Sequence, residues 1–237
     1  MDHAAQGHFF INNPIFVKYK NRFNWKSFRP EVYLKSVFVN ERIVEVPFVF
    51  QSLQGVPAAK KVLDLGCTES PLPLQLAALG FQVTGFDFRE YPYKHPNLNF
   101  IQGNMLNLPF EDESYDVVCC ISTIEHIGIG SYDDPLTTAD GDFKAMAEVR
   151  RVLKKDGKLI LSVPFGVYEE NPHQRVYDEG RLNELLKDFR VEDKHYFINQ
   201  TKKARRNNYW LESSWAEAAA VTSGKTTNGV CCLMAKF

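Results

Sequence analysis

From Lys60 onward, short apolar runs alternate with segments of helical spacing or turn chemistry, and this alternation constrains the fold more than any other feature of the chain. The runs are KVLDL (61–65), QVTGF (82–86), NFI (99–101), YDVVCCI (115–121) and KLILSV (158–163). Such an order is the mark of a mostly parallel sheet with helices on both faces. Five parallel strands are therefore expected.

Helix signals fall between the runs. Ser70 is placed to cap a helix with Pro71 at its first position, where the missing N–H costs nothing, and Gly80 to close it. DFKAMAEVRRVL sets Phe143, Met146, Val149 and Val152 or Leu153 on one helical stripe, which reads as core. Further on, EGRLNELLKDF predicts another helix, FRVEDKHYFI a sixth strand and NGVCCLMAKF a seventh. The polar segment between these last two is too long for a plain turn, and a helix is expected near YWLESSWAEAAAV. Residues 1–58 read as an N-terminal arm and cover helix laid over a core of residues 59–237. Within that cover, NERIVEVPFVFQSL predicts a helix capped by Asn40 and bent at Pro47.

Composition narrows the partners. With 237 residues and 44% hydrophobic side chains, the chain buries one large core. The balance of 28 basic against 29 acidic residues gives no global attraction to nucleic acid or to an anionic membrane, so a small-molecule partner is expected. KKARR (202–206) reads as a solvated stretch rather than a phosphate patch. No apolar run approaches the roughly 20 residues that cross a bilayer, and the first residues lack a signal-peptide layout, so a cytoplasmic location is expected. Cys67 and the adjacent pairs Cys119–Cys120 and Cys231–Cys232 read as reduced core thiols, because neighbours on a strand point to opposite faces.

Two positions carry the first chemical signal. In VLDLGCTES a buried strand reaches Asp64 and a glycine turn at Gly66 leads into the next helix, the place where a doubly wound fold holds its ligand. Asp87 ends the second strand about 20 residues later, where a carboxylate accepts both hydroxyls of a ribose. Turn and acid together indicate an adenosine-bearing cofactor. A nicotinamide-dependent oxidoreductase shares these two features, but DLGCTESPLP does not supply G-x-G-x-x-G.

Taken with GNMLNLPFEDESYDVV, STIEHI and EVRRVLKKDGKLILSVP, these motifs resemble the class I S-adenosylmethionine-dependent methyltransferases over roughly residues 60 to 165. The resemblance implies an α/β, doubly wound, seven-stranded Rossmann-like sheet whose last strand runs antiparallel and pairs with strand six. It implies that Asp64, Gly66 and Cys67 line the methionine half of S-adenosylmethionine, with Asp87 at the ribose and Phe88 beside it. Asn104 and Met105 would flank the adenine, and Ser122 and Thr123 would sit near the sulfonium. The chain departs from the family at Thr68 and Ser70, where glycines are usual, and at Asn104, where aspartate is commoner. These departures keep open a catalytically silent cofactor-binding subunit.

An acidic-Pro-Pro-aromatic element after strand four would suit amino groups of nucleobases, but STIEHI stands there instead. EHIGIGSYDDPLTTADGDFKAMAEVRRVL and VPFG…NPHQRVYDEGRL are similar to methyltransferases of bacterial polysaccharide and natural-product pathways that act on sugar hydroxyls. A hydroxyl is a poor nucleophile until a base removes its proton, which makes His126 and His173 the candidate bases, with Glu125 beside them. Asp133 and Asp134 offer oxygen ligands to a divalent cation such as Mg²⁺, although Asp-Asp-Pro is equally an ordinary turn.

Overall fold

The computed structural model describes residues 40–130, 137–138, 140–200, 209–224 and 226–237. Residues Glu41–Gln200 and Trp210–Phe237 make up one compact unit. The N-terminal arm and KKARR lie outside the described residues.

The five expected strands form. They are β1 (Lys61–Leu65), β2 (Gln82–Asp87), β3 (Leu98–Gln102), β4 (Tyr115–Ile121) and β5 (Leu153–Pro164). Their pairing is parallel throughout, in the order β3-β2-β1-β4-β5. After a short hairpin of β6 (Glu169–Glu170) and β7 (Arg175–Val176), the chain adds β8 (Arg190–Asn199), β9 (Trp210–Ser213) and β10 (Gly229–Lys236). β10 inserts antiparallel between β5 and β8, as expected of the last strand.

The sheet has eight strands rather than seven. The extra one is β9, antiparallel to β8 at the edge, drawn from the first half of the segment expected to be helical. Trp210 is buried there and Leu211 exposed, the alternation of an edge strand. Only the second half coils, from Trp215 to Ala219, where Ser214 and Glu217 form a reciprocal capping box.

Helices cover both faces. On one lie α1 (Arg42–Ser52) and α2 (Leu72–Ala78), which bury Phe48, Val49, Leu53, Leu72 and Leu76 against Val62, Val117, Cys119, Ile160 and Cys232. On the other lie α3 (Gly141–Val152) and α4 (Glu179–Leu185), whose Ala145, Met146, Val149, Leu182 and Leu185 pack with Leu63, Leu65, Cys120, Leu161 and Cys231. Each cysteine pair is thus split between the two cores by the pleat, and all five thiols are free and buried.

Local signals were mostly correct, with two corrections. α1 carries Pro47 internally but takes Glu41, not Asn40, at its N-cap, with no side-chain cap. In α2 the N-cap is Pro71, and Ser70 still contributes, its Oγ accepting the Leu72 N–H at 3.1 Å. Gly80, at φ +94°, ends the turn as expected.

Candidate functional site

The carboxyl ends of the parallel strands surround a cavity of about 730 Å³, open solvent included. Seven of the nine residues expected at a cofactor line it: Gly66, Asp87, Phe88, Asn104, Met105, Ser122 and Thr123. The sheet order sets these groups in a row, because β3, β2, β1 and β4 end side by side.

Gly66 follows β1 with φ +74°, and its N–H donates to the Phe86 carbonyl at 2.8 Å. A Cβ there would run into the Thr123 side chain, so only glycine fits. Thr123 is itself fixed, its hydroxyl lying 3.0 Å from the Ile121 carbonyl and 3.3 Å from that of Leu65. Asp64 and Cys67 lie outside the lining. Asp64 is 2% exposed with one oxygen lacking a hydrogen-bond partner, and burial lifts its pKa to about 7 against the pull of Arg42. Cys67 turns its thiol into the core, where a Cβ on Gly85 would stand 3.0 Å from its Sγ. Burial pushes that thiol far above its usual range, so it is no nucleophile.

Asp87 is held in place by the turn that departs from the glycine pattern. Its two oxygens accept the Thr68 and Arg89 N–H groups, each at 2.9 Å, and the Thr68 hydroxyl donates to the Arg89 carbonyl at 3.2 Å. Each carboxylate oxygen keeps a second lone pair for a ligand hydroxyl. Phe88 is 44% exposed at the mouth, and Gln102 anchors its carbonyl at 2.8 Å. The Asn104 amide oxygen accepts the Leu106 N–H at 2.9 Å, leaving one lone pair for a ligand, and Met105 is buried beside it.

The far wall comes from residues no motif flagged. Arg42 and Glu45, on α1, reach over the ends of β4 and β5. Arg42 Nη1 donates to the Ile121 carbonyl at 2.9 Å and to Glu45 Oε2 at 3.2 Å. Glu45, fully buried, accepts from the hydroxyls of Ser122 and Ser162. Ser122 sits at φ +43°, a strained conformation for a non-glycine residue, and its N–H meets Ser162. The available signal was slight: two charges inside the otherwise apolar run RIVEVPFVFQS.

Beyond β4 the chain forms a 3₁₀ turn (Ile124–His126). His126 lines the cavity. Its Nδ1 lies 2.7 Å from the His173 carbonyl; a carbonyl only accepts, so Nδ1 carries the proton and Nε2 is the basic nitrogen. Burial lowers its pKa to about 4, so the ring is neutral at physiological pH. His173 contributes that carbonyl, whereas its ring is outside the lining. Glu125 is buried with one oxygen unpartnered, and burial lifts its pKa above the usual carboxylate value. Arg175, fully buried, braces the turn by donating to the Ile127 carbonyl at 2.6 Å while its Nε pairs with Glu170 at 2.8 Å. Asp133 and Asp134 lie outside the described residues, and among the described residues no group of three or more His, Cys, Asp or Glu is arranged for a metal ion.

The family described as a methyltransferase domain matches residues 63–161. A probable S-adenosylmethionine-dependent methyltransferase of Mycolicibacterium smegmatis is 30% identical over 160 residues, covering 61% of this chain and 58% of that protein. A similarly described protein of Mycobacterium tuberculosis is 29% identical over 153 residues, covering 59% of this chain and 52% of its own length. The chain thus spans little more than half the length of these two relatives. Among solved structures, the 1,6-didemethyltoxoflavin-N1-methyltransferase of Burkholderia thailandensis, with S-adenosylhomocysteine bound, superposes with a TM-score of 0.56 at 14% identity, covering 100% of this chain and 91% of that one. A likeness at that identity speaks for the fold alone. Fold, motifs and family match together make this core similar to S-adenosylmethionine-dependent methyltransferases.

Proposed function

We propose that this chain transfers a methyl group from S-adenosylmethionine to a small-molecule acceptor, a hydroxyl of a sugar or glycan precursor. The observation that carries the reading is the row of Met105, Asp87, Gly66 and Ser122 across the ends of four adjacent strands, in the order that adenine, ribose and methionine would need. The residues fit the cofactor: Asp87 keeps acceptor capacity for two ribose hydroxyls, Met105 is an apolar cover for a ring, and Asp64, near the end of β1, keeps one buried oxygen without a partner. When bound, the cofactor supplies an electrophilic methyl on a sulfonium. The protein then has to hold an acceptor oxygen about 3 Å from that carbon and to remove its proton.

His126 is the group we assign to the proton. Its Nε2 is the basic nitrogen of a neutral ring at the cavity wall, beyond the end of β4, and the His173 carbonyl holds the tautomer. Nε2 would accept the proton of the acceptor hydroxyl as the cofactor's methyl is transferred to its oxygen. His173 orients the base through its backbone and Glu125 packs beneath, its Oε1 3.7 Å from Nε2. The sugar hydroxyl is supported by the likeness of EHIGIG and NPHQR to sugar O-methyltransferases and by a neutral imidazole in the wall. Five buried free thiols suit a cytoplasmic site of action. The test is calorimetric titration with S-adenosylhomocysteine and NAD, followed by transfer of labelled methyl to a panel of nucleotide sugars. One adenosyl ligand per chain and labelled sugar are expected. Tight NAD binding, or cofactor binding without transfer to any acceptor, would favour the oxidoreductase or the silent subunit respectively.

A further inference from the structure

We propose that Arg175 is a positioning residue for His126: by fastening the β6–β7 hairpin to the turn after β4, it keeps the proton of the ring on Nδ1. The inference rests on the methyltransferase reading with His126 as the base. The hairpin pairs Glu169 with Val176 and Glu170 with Arg175, and its tip closes with the Asn171 N–H on the Gln174 carbonyl at 3.1 Å. The Asn171 amide oxygen accepts the N–H groups of His173 and Gln174, at 2.9 and 3.1 Å. The Gln174 N–H belongs to the same trans peptide group as the His173 carbonyl, so holding one points the other away from Asn171, toward His126. From behind, the tip is held by the segment before β10: Asn171 Nδ2 donates to the Gly224 carbonyl and the Thr227 hydroxyl to Gln174 Oε1, each at 3.0 Å.

Arg175 sets the distance between hairpin and turn. Its Nε donates to Glu170 across the hairpin at 2.8 Å, and its Nη1 to the Ile127 carbonyl at 2.6 Å. Ile127 directly follows His126, and little slack lies behind it: a Cβ on Gly141, the first residue of α3, would stand 2.6 Å from the same oxygen. A planar guanidinium bridges the two elements as a rigid fork, which the single nitrogen of a lysine does not reproduce. The His173 carbonyl then meets Nδ1 at 2.7 Å. This bridge carries a cost, because Arg175 has no exposure and its Nη2 lacks a hydrogen-bond partner among the described residues. Such a breach of polar satisfaction is characteristic of functional sites rather than of plain packing. The charges around the ring, Glu125 beside it, Arg42 on α1, Glu69 after β1 and Arg89 after β2, set how readily it takes a proton. Which nitrogen carries the proton of the neutral ring is set instead by the hydrogen bond that the ring makes.

Nitrogen-15 NMR of the whole chain with labelled histidine reads the tautomer at neutral pH, with His126 assigned through His126→Gln. The wild type should carry its proton on Nδ1. Arg175→Gln should give a mixture with a substantial Nε2–H share and lower kcat about tenfold or more, within the range that a base contributes, with S-adenosylhomocysteine affinity unchanged. Arg175→Lys, which keeps the charge but not the fork, should do the same to a smaller degree. A raised titration midpoint of His126 with its tautomer unchanged would overturn the proposal, because losing a nearby positive charge is enough to produce it. A wild-type ring protonated on Nε2 would overturn it as well. Should Arg175→Gln not fold, Asn171→Ala in the half-buried tip should move the tautomer in the same direction, and an unchanged ring there would remove the hairpin's role. A wild type on Nδ1–H that transfers methyl to no acceptor would instead refute the methyltransferase reading, and the tautomer contrast between variants would still decide Arg175.

Discussion

Replacing Gly66 by alanine tests whether the cavity floor is set by the contact between the ends of β1 and β4. The substitution has two separable costs. At φ +74° an alanine sits in the left-handed region, worth about 1–2 kcal/mol. The new Cβ also enters the space of the Thr123 methyl and hydroxyl, which cannot swing away without losing contacts to the Ile121 and Leu65 carbonyls at 3.0 and 3.3 Å. Overpacking of this kind typically costs about 1–3 kcal/mol, so Gly66→Ala should lose roughly 2–5 kcal/mol of unfolding free energy. Thr123→Ala removes the two nearest atoms but leaves its own Cβ 2.8 Å from the new one, so relief is partial. Urea unfolding of both single variants and the double variant therefore forms a cycle. Gly66→Ala should cost at least about 1 kcal/mol less in the Thr123→Ala background than in the wild type, a coupling of the size seen for residues in contact. Additive effects, or a Gly66→Ala loss under about 1 kcal/mol, would refute the contact and the close apposition of these two strand ends.

Three further outcomes are expected. Asp87→Ala should weaken S-adenosylhomocysteine by about 2–3 kcal/mol in titration, and it should also lower stability because the Thr68 and Arg89 N–H groups lose their acceptor; a stability loss with unchanged affinity would remove the ribose role. His126→Ala should lower turnover about 10²- to 10⁴-fold while sparing cofactor affinity, and near-full turnover would exclude this base. The pH dependence differs from that of a free imidazole: with the folded pKa lowered to about 4, the rate should rise through that pH and be flat near neutrality. Because the unfolded ring, at about 6.5, binds a proton first, stability should fall as pH drops from about 6.5 toward 4, and the variant should lack that part of the slope. Finally, the five buried cysteines should resist an aromatic disulfide reagent in the native protein and react together on unfolding; rapid reaction of one would show an opening at its strand.

The sequence by itself determined the parallel core and the cofactor end of the cavity. A strand buried on both faces must be a short, nearly continuous apolar run, so β1, β2, β4 and the inner part of β5 were legible residue by residue. Gly66 and Asp87 were legible because a backbone turn and a strand-end acid are local features with fixed spacing. Tertiary structure alone decided the rest. Arg42 and Glu45 form an ordinary charged pair on a helix until α1 lies over the ends of β4 and β5, where Ser122 and Ser162, 77 and 117 residues from Glu45, complete the network. His126 and His173 were both candidate bases in the sequence, His126 slightly favoured by its place after strand four; the ring of His126 lines the cavity, whereas His173, 47 residues away, offers its carbonyl to that ring. β9 was read as helix because YWLESSWAEAAAV carries good helix formers, and pairing with β8 overrode that preference at its start. Local chemistry can be read from spacing, whereas contacts between distant segments depend on which faces the packed sheet brings together.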